Sequence, residues 1–526
     1  MASVPLYNLG AAGVIKDTPP HLLPPEAWSD AQNVRFVNRL ARKMRGHGQV
    51  FGDPEVVPYW SMPVGGATSV LWAYSDLEKV YATDGTTHAD VTRLVGGDYS
   101  GSPEQLWNGG IFSGLAIITN DADVPQLWVP GLGTPLVDLP NWPSTWRCKA
   151  IKPFKNFLIA LNLSISGDEF PHRIAWSHPA EPGAVPSSWD GTDETLDAGD
   201  RDLSDSEAGV ILDGYPMRDL FMIYKERSVW GMQYIGGTQI FRTYPLFDGG
   251  ILSKACVAPF KNNTRHFVVS GDDIIVHNGQ EAESIADKRL REFLQANIDT
   301  TYYRRSFCVA DPANREVIFA FPEVGAQWPT LAVVWNTIDG TFTFRELPGG
   351  VAHMAAGPVP GSAGSVTWDS DSDSWDSDTT KWNTQNFNGY QVKLVQANHV
   401  DEQLQQLDYT EQFNGVNMIA RLERTGLAYD GKDRQGNPVA SYSGRRLWKR
   451  FWPMIEGGEV EITIGSQEFL DDPVVWGASQ TFNPASQKYI DITVGGRWHA
   501  VRIESSGMAS WNLRGYQVEV EPLGDQ

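Results

Sequence analysis

The strongest constraint on the fold is a unit that recurs between about residues 69 and 347. Each unit has a short apolar run, a polar turn and a second apolar run, as in SVLWAYSDLEKVYATDG. Most starts lie 42–50 residues apart, at Ser69, Ser113, Lys155, Arg218, Thr264 and Asn314. Since four-stranded propeller blades repeat about every 40–50 residues, the spacing predicts an all-β fold with a β-propeller over residues 51–360. A pair of β-sandwiches is the alternative, because short strands separated by turns suit both architectures.

One interval, between Lys155 and Arg218, is longer than the others at 63 residues. It contains the segment 186–213, which carries nine acidic residues and one basic residue. We therefore expect an acidic insertion there. A seventh unit would be completed by residues near 50–60 and 351–359. A helix is predicted over 283–299, where apolar residues recur at helical spacing.

The two ends of the chain differ from the repeats. From about residue 385 apolar and polar residues alternate, as in KYIDITVGGRWHAVRIESS. This pattern predicts antiparallel sheet with one solvated face, and hence a β-sandwich-like domain over 385–526. Residues 1–50 contain two Pro-Pro pairs and a net charge of +3. Because proline enforces extended or turn geometry, we expect an extended N-terminal docking arm over 1–50.

A junction rich in tryptophan and aspartate is expected over 361–384. Its core, WDSDSDSWDSDTTKWN, places Trp368, Trp375 and Trp382 seven residues apart. An EF-hand loop that began at Asp369 would need Gly and Glu where the chain has Ser374 and Thr380. The abundant Asp and Ser favour Asx-type turns over a helix, and odd spacing in a strand would alternate the indoles between faces. We interpret the three tryptophans as a structural brace and expect no metal.

Composition narrows the range of functions. The formal net charge of −22 argues against a duplex-DNA-binding surface over the whole protein. The three cysteines are far apart and form no CxxC pair, so neither a zinc site nor a disulfide framework is expected. No signal peptide or membrane-spanning run is visible in the sequence. Catalytic signatures such as GxSxG and HExxH are missing too, so we expect neither an enzyme nor a bound cofactor.

The stretch GRRLWKRFWP at 444–453 interleaves basic and aromatic residues, including Arg445, Arg446, Trp448, Arg450 and Trp452. Such a mixture can stack on single-stranded nucleic acid. Arginine and aromatic residues are also enriched at protein interfaces. We favour an assembly interface, because one short patch in an acidic chain offers little from which to build a nucleic-acid groove.

Several phrases together resemble the tail nozzle proteins of short-tailed bacteriophages. The opening GVIKDTPPHLLPPEAWSDAQNVRF is similar to the start of that family and includes Asp17, Asn33, Arg35 and Phe36. The phrases RIAWSHPAEP, DDIIVHNGQ and GGRWHAVRIESSG, together with the tryptophan/aspartate run, extend the resemblance over most of the chain.

The resemblance implies a structural virion protein of the viral tail, assembled in the host cytoplasm. It implies a hexamer, a ring below the head-to-tail adaptor that conducts genomic DNA during ejection without binding it specifically. The partners it implies are other copies of the chain, the adaptor proteins and the tail fibres or spikes. The alternative is a carbohydrate-binding or carbohydrate-cleaving β-propeller, because tryptophans stack on sugar rings and a glycosidase carboxylate pair could be hidden among many acids.

Overall fold

The computed structural model describes residues 2–65, 70–203, 209–359, 391–432, 438–442 and 444–524. Strands dominate these residues and assemble into two bodies, a seven-bladed β-propeller and a β-sandwich. The predicted brace residues Trp368, Trp375 and Trp382 lie outside the described residues. Among the helices of the described part of the chain, none is long and apolar enough to cross a bilayer.

Six blades are four-stranded antiparallel sheets whose strands pair in chain order. Blade 1 comprises Trp60–Gly65, Val70–Ser75, Val80–Thr83 and His88–Asp90. Blade 2 comprises Asn108–Phe112, Leu115–Thr119, Gln126–Trp128 and Val137–Asp138. Blade 3 comprises Trp146–Phe154, Phe157–Ile165, Asp168–Trp176 and Gly199–Asp202. Blade 4 comprises Ile211–Met217, Leu220–Lys225, Ser228–Tyr234 and Phe241–Asp248. Blade 5 comprises Val257–Phe260, Arg265–Val269, Ile274–His277 and Ala282–Ser284. Blade 6 comprises Phe307–Asp311, Glu316–Phe321, Leu331–Asn336 and Phe342–Glu346. The predicted repeat is therefore confirmed as a propeller.

Blade 7 joins distant parts of the chain. It comprises His353–Val359, Gln391–Asn398, Gln403–Leu407 and, as its fourth strand, His47–Gln49, with Gln412–Phe413 and Val416–Asn417 added at the edge. The first strand of blade 7 packs against the first strands of blades 1 and 6, which closes the ring. Since residues before blade 1 complete the last blade, the closure is non-local and holds the circle shut without a covalent link.

The sandwich has two sheets. The first contains Ile490–Gly496, Arg445–Gly457, Trp511–Gly524, Leu40–Lys43, Val34–Val37 and Ala2–Tyr7. The second contains Asp30–Gln32, Arg421–Leu427, Trp498–Ser505, Val460–Gln467, Val475–Trp476 and Gln480–Phe482. Phe344 of blade 6 pairs with Gln32, so the second sheet continues into the propeller. Apolar residues of both sheets share one core with blades 4 to 6.

Short elements complete the fold. They are the parallel ladder Gly13–Val14 with Ala27–Trp28, the hairpin Tyr429–Lys432 with Pro438–Ala440, the 3-10 turns Pro20–Leu22 and Tyr303–Arg305, and the helix Arg291–Asn297. The helix is shorter than the predicted 283–299, because residues 282–284 are taken up by the fourth strand of blade 5. Leu290 and Leu294 are buried, as the helical spacing predicted.

The prediction of a docking arm over 1–50 is wrong. Ala2–Tyr7 pairs along its length with residues 515–520, Val34–Val37 and Leu40–Lys43 form a hairpin in the same sheet, and His47–Gln49 belongs to blade 7. The segment contains little apolar periodicity because its strands are short and are separated by turns. Pairing with partners hundreds of residues away orders it, and local sequence patterns do not report such pairing.

Two predicted boundaries also differ from those in the structure. The propeller extends beyond residue 360, since Gln391–Asn398 and Gln403–Leu407 belong to blade 7 and not to the sandwich. The acidic segment 186–213 begins in the connection between the third and fourth strands of blade 3, includes the fourth strand Gly199–Asp202, and ends in the first strand of blade 4. Asp190 and Asp193 there accept hydrogen bonds from the backbone nitrogens of Thr192 and Thr195, which forms two Asx turns on the surface.

Candidate functional site

The residues predicted for docking in the N-terminal segment lie where the sandwich meets the propeller. Arg35 Nε and Nη2 donate to the two carboxylate oxygens of Glu316 in blade 6, at 2.6 and 3.0 Å. Nη2 also donates to Asp408 at 2.8 Å, and Arg345 donates to the other oxygen of Asp408 at 3.1 Å. Two arginines and two carboxylates therefore form a neutral, mostly buried network that we call the junction network.

Charge and burial compete within the junction network. Burial alone would raise the pKa of Asp408, but Arg35 and Arg345 outweigh it and hold that pKa at about 2. Asp408 has two arginine partners, whereas Glu316 has only Arg35, so burial dominates there and raises the pKa of Glu316 to about 6. Both carboxylates are therefore ionised at pH 7, where each is matched by an arginine.

Asn33 makes a second link across the junction. It adopts φ = 57°, in the left-handed region that asparagine tolerates better than most residues. Its Nδ2 donates to Glu346 Oε2 and to the Ile419 carbonyl, both at 2.8 Å, and its Oδ1 accepts from the Glu346 backbone nitrogen at 3.0 Å. The side chain is fully buried, so it connects blade 6, the sandwich and the N-terminal segment.

Asp17 and Phe36 also make their contacts with other residues of the same chain. The Asp17 carboxylate accepts hydrogen bonds from the backbone nitrogens of Glu292 and Phe293 at 3.0 Å, which caps the start of the helix. Phe36 is buried in the core shared by the sandwich and the propeller. The side chains of these four residues are therefore engaged inside this chain, and their docking onto another subunit stays a prediction.

The basic and aromatic strand Arg445–Gly457 divides its side chains between two faces. Arg446 and Trp448 point inward, where Arg446 Nη1 donates to the Arg497 carbonyl and the Trp448 ring stacks on His499 with centroids 4.4 Å apart. Both side chains are buried, so neither is available for assembly. Alternation along the strand explains the split, although a bulge between Trp448 and Arg450 shifts the register.

The outward residues of that strand are paired but accessible. Arg445 Nη2 lies 2.6 Å from Glu468 Oε1, and Arg450 Nε lies 2.9 Å from Asp491 Oδ1. The Arg450 guanidinium also lies over the ring of Tyr489, which in turn packs beside Trp452. Arg445, Arg450 and Trp452 therefore remain candidates for contact with another molecule.

Exposed apolar side chains lie beside Arg445. Phe469 is 64% exposed and packs under the guanidinium of Arg497, and Val475 is 70% exposed on the neighbouring edge strand. Tyr442 stacks on Trp498, which follows Arg497 in the chain. We call Tyr442, Phe469, Leu470 and Val475 the sandwich patch. Exposed apolar side chains with arginines close to them are typical of a protein interface.

A second feature lies on the propeller axis. A cavity of about 230 Å³ is lined by the first strands of the blades, with Trp60, Trp107 and Phe307 as its apolar walls. Lys152 Nζ lies 3.7 Å from Asp213 Oδ1, and Asn108 Nδ2 donates to Asp213 Oδ2 at 3.1 Å. Among the described residues these side chains lie inside the ring of first strands, and the cavity between them is too small for a DNA duplex.

The charged side chains that line the axial cavity favour binding of an anion. Lys254 Nζ donates to the Leu106 carbonyl at 3.1 Å, and among the described residues no carboxylate lies within 4 Å of it. Burial lowers the pKa of Lys254 and that of Lys152, although the charge of Asp213 opposes both shifts. Bringing an anion to Lys254 would compensate for lost hydration of the ammonium group.

Sequence reasoning missed the axial cavity. The one available signal was Lys152 in the strand WRCKAIKPF, where alternation places it on the same face as Cys148 and Ala150. A lysine in a buried alternation pattern indicates a partner charge, but the partner Asp213 lies in another blade and cannot be identified locally. Within the described residues no group of three or more His, Cys, Asp or Glu side chains could hold a metal ion.

Comparisons with known proteins add little to this geometry. No protein-family model matches the sequence, and no curated protein sequence matches it. Among solved structures, the chain is similar to the WD40 β-propeller domain of Doa1, with 8% identity, a TM-score of 0.39 and coverage of 69% of this chain and 97% of that one. The assignment of a β-propeller fold therefore rests on the strand pairing described above.

Proposed function

We propose that the protein is a structural subunit of the tail of a short-tailed bacteriophage, where six copies form the nozzle below the head-to-tail adaptor. The other partners in this proposal are the adaptor proteins and the tail fibres or spikes. The protein acts by shape and assembly, it carries out no reaction, and the genome passes it without specific binding. The acidic surface supports this role, because it repels the phosphate backbone.

The phrases that carry the family resemblance support the proposal by their position. The first phrase covers residues 13–36 and the last covers 495–507, yet only the strand Arg421–Leu427 separates them in the second sandwich sheet. The rings of His21 and Trp498, one from each phrase, lie 5.7 Å apart in an edge-to-face contact. The first and last phrases therefore lie close together in the fold, which supports treating them as parts of one structural unit.

The side chains on the propeller axis determine where DNA could pass in this proposal. Since side chains such as Lys152 and Tyr215 occupy that axis, a duplex cannot run through a single subunit. In this proposal the conduit is the space enclosed by the ring of subunits. A closed ring of identical subunits needs a heterologous interface in which two different surfaces of the chain meet.

The sandwich patch is the observation that carries the assembly role. Phe469 and Val475 expose most of their side chains, and Arg445 and Glu468 form a polar rim beside them. We assign this patch to the contact with the next copy in the ring. The patch lies away from the junction network, so changing it should leave the fold of the subunit intact.

The test is the double variant Phe469→Asp/Val475→Asp, with assembly measured by sedimentation velocity over a range of protein concentrations. The wild type should form a six-subunit species as concentration rises, whereas the variant should stay monomeric. The matched control is Leu94→Asp/Val95→Asp, because these residues are 83% and 85% exposed on a propeller loop. Equal assembly by patch variant and wild type would contradict this use of the patch. A strictly monomeric wild type that binds glycans would favour the alternative function.

A further inference from the structure

The axial cavity combines features that a filled structural core does not need. Three polar atoms that line it, Ser61 Oγ, Asn108 Oδ1 and Ser306 Oγ, have no hydrogen-bond partner within the described part of the chain. All three residues are more than nine-tenths buried. Since a buried polar atom without a partner costs about 1–3 kcal/mol, such a group is usually satisfied by a ligand or by water.

The chemistry of the unsatisfied atoms defines the missing partner. Asn108 Nδ2 is committed to Asp213, so Asn108 Oδ1 can only accept a hydrogen bond. The partner of Asn108 must therefore be a donor such as a hydroxyl group. The two serine hydroxyls can each donate and accept, and hydroxyl groups satisfy both roles.

The charges of the cavity add a second requirement. Lys152 is balanced by Asp213, and Arg305 is balanced by Glu104 at 2.8 Å. Lys254 and Arg304 are the remaining cationic side chains that line the cavity, and neither forms an ion pair with a carboxylate among the described residues. The charges of Asp121 and Asp213 act on Lys254, and those of Glu104 and Glu226 act on Arg304, without direct contact. A ligand carboxylate would give Lys254 the direct charged hydrogen bond that it lacks among the described residues.

We propose that the axial cavity binds a small polyhydroxylated carboxylate. The carboxylate lies near Lys254, the hydroxyls satisfy Asn108 and the two serines, and the carbon chain packs against Trp60 and Phe307. A volume of about 230 Å³ limits the ligand to a few carbon atoms and excludes a polysaccharide. The entrance lies beside Glu104 and Arg304, which are both exposed. This site is independent of the sandwich patch and of the proposed ring.

The test is isothermal titration of the purified full chain with three matched probes. Gluconate carries both hydroxyls and a carboxylate, sorbitol carries only hydroxyls, and hexanoate carries only a carboxylate. We expect saturable binding of gluconate and at least about tenfold weaker binding of sorbitol and hexanoate, because each lacks one set of partners. A wild type that does not bind gluconate, or that binds sorbitol equally well, would overturn the proposal.

Two variants locate the site. Lys254→Met should weaken gluconate binding at least about tenfold, whereas Lys488→Met on the exposed sandwich surface should leave it unchanged. Ser61→Ala/Ser306→Ala should weaken gluconate binding but not the residual binding of hexanoate, which has no hydroxyls to pair. This second variant keeps every charge, so it tests the site even if Lys254→Met fails to fold. Unchanged gluconate binding in both folded variants would place any ligand elsewhere.

Discussion

Arg35 and Glu316 form a two-pronged ion pair across 281 positions of sequence, with Nε–Oε1 and Nη2–Oε2 distances of 2.6 and 3.0 Å. Arg35 lies on the hairpin strand Val34–Val37 of the sandwich, and Glu316 begins the second strand of blade 6. The Glu316 side chain is only 2% exposed. The pair therefore fixes the N-terminal segment against the propeller in a setting where neither charge can easily be lost.

Breaking this pair should be strongly destabilising. Arg35→Met leaves Glu316 buried without its cation, and we expect the free energy of unfolding to fall by about 3–5 kcal/mol. Urea denaturation followed by circular dichroism measures this loss. The double variant Arg35→Met/Glu316→Gln removes both charges of the pair and should recover part of the stability, because no uncompensated Glu316 carboxylate remains.

A surface pair provides the control. Arg514 Nη2 lies 2.8 Å from Glu456 Oε1, and both side chains are more than half exposed. Arg514→Met should cost less than about 1 kcal/mol, because water screens the charges on both sides. Equal losses for Arg35→Met and Arg514→Met would show that the junction network does not hold the two bodies together.

Deleting residues 1–49 should prevent stable folding of the whole chain. The deletion removes the fourth strand of blade 7 and four strands that belong to the two sandwich sheets, so it opens the propeller and exposes the shared core. We expect an aggregated or molten product, judged by size-exclusion chromatography and near-ultraviolet circular dichroism. A soluble product with native tertiary signals and a cooperative melt would restore the idea of a detachable arm.

The propeller could be predicted from the sequence, but the way it closes could not. Repeats with starts such as Ser113 and Lys155 are local patterns, and blades 1 to 5 each form from consecutive strands that pair in chain order. The fourth strand of blade 7 is different, because His47–Gln49 pairs with residues 405–407 through contacts that leave no local periodic pattern. The same limit explains why the N-terminal segment was interpreted as an arm.

The candidate site, like the fold, could be predicted only in part from the sequence. The strand from Arg445 was predicted to be an assembly interface, and this use stays a prediction; Arg445 pairs with Glu468, which precedes Phe469 of the sandwich patch. The inward positions of Arg446 and Trp448 depend on a bulge and on the stacking partner His499, neither of which the composition reveals. The axial cavity depends on residues from different blades, so it appears only once the ring is closed.

Asn33 should be sensitive to a change of one atom. Asn33→Asp replaces the Nδ2 donor with an oxygen that faces Glu346 Oε2 and the Ile419 carbonyl, so two attractive contacts become repulsive. We expect a loss of about 2–3 kcal/mol in the free energy of unfolding, measured by urea denaturation. Asn141→Asp is the matched control, since Asn141 also has a positive φ of 62° but is exposed. A loss no larger than that of the control would contradict the assigned role of Asn33.

Stability should decrease as pH falls from about 6.5 to about 4. Burial lowers the pKa of His47 and His266 to about 3, and of His277, His353 and His499 to about 4. Over this window the unfolded chain binds protons that the folded chain does not, and each such proton changes the free energy of unfolding by about 1.4 kcal/mol per pH unit. Burial raises the pKa of Glu316 and of Asp121, which acts in the opposite direction, but these are two groups against five.

The variant His499→Phe removes one of the five histidines that bind a proton on unfolding, so it measures the contribution of that histidine. Phenylalanine can keep the stack on Trp448 while removing the titrating ring, whose Nε2 otherwise pairs with the Val494 carbonyl. The slope of unfolding free energy against pH between 6.5 and 4 should decrease by about one proton. An unchanged slope would mean that His499 is not held neutral by burial.

The most direct test of the proposed function is electron cryomicroscopy of the particles of the short-tailed phage that, under this proposal, carries the chain. If the chain forms the nozzle, we expect six copies around the tail axis below the adaptor, each with its sandwich patch against the next copy. We expect DNA density only in the space that the ring encloses and not along the propeller axis of a subunit. Absence of the protein from purified particles, or its presence at a position away from the tail axis, would contradict the nozzle assignment.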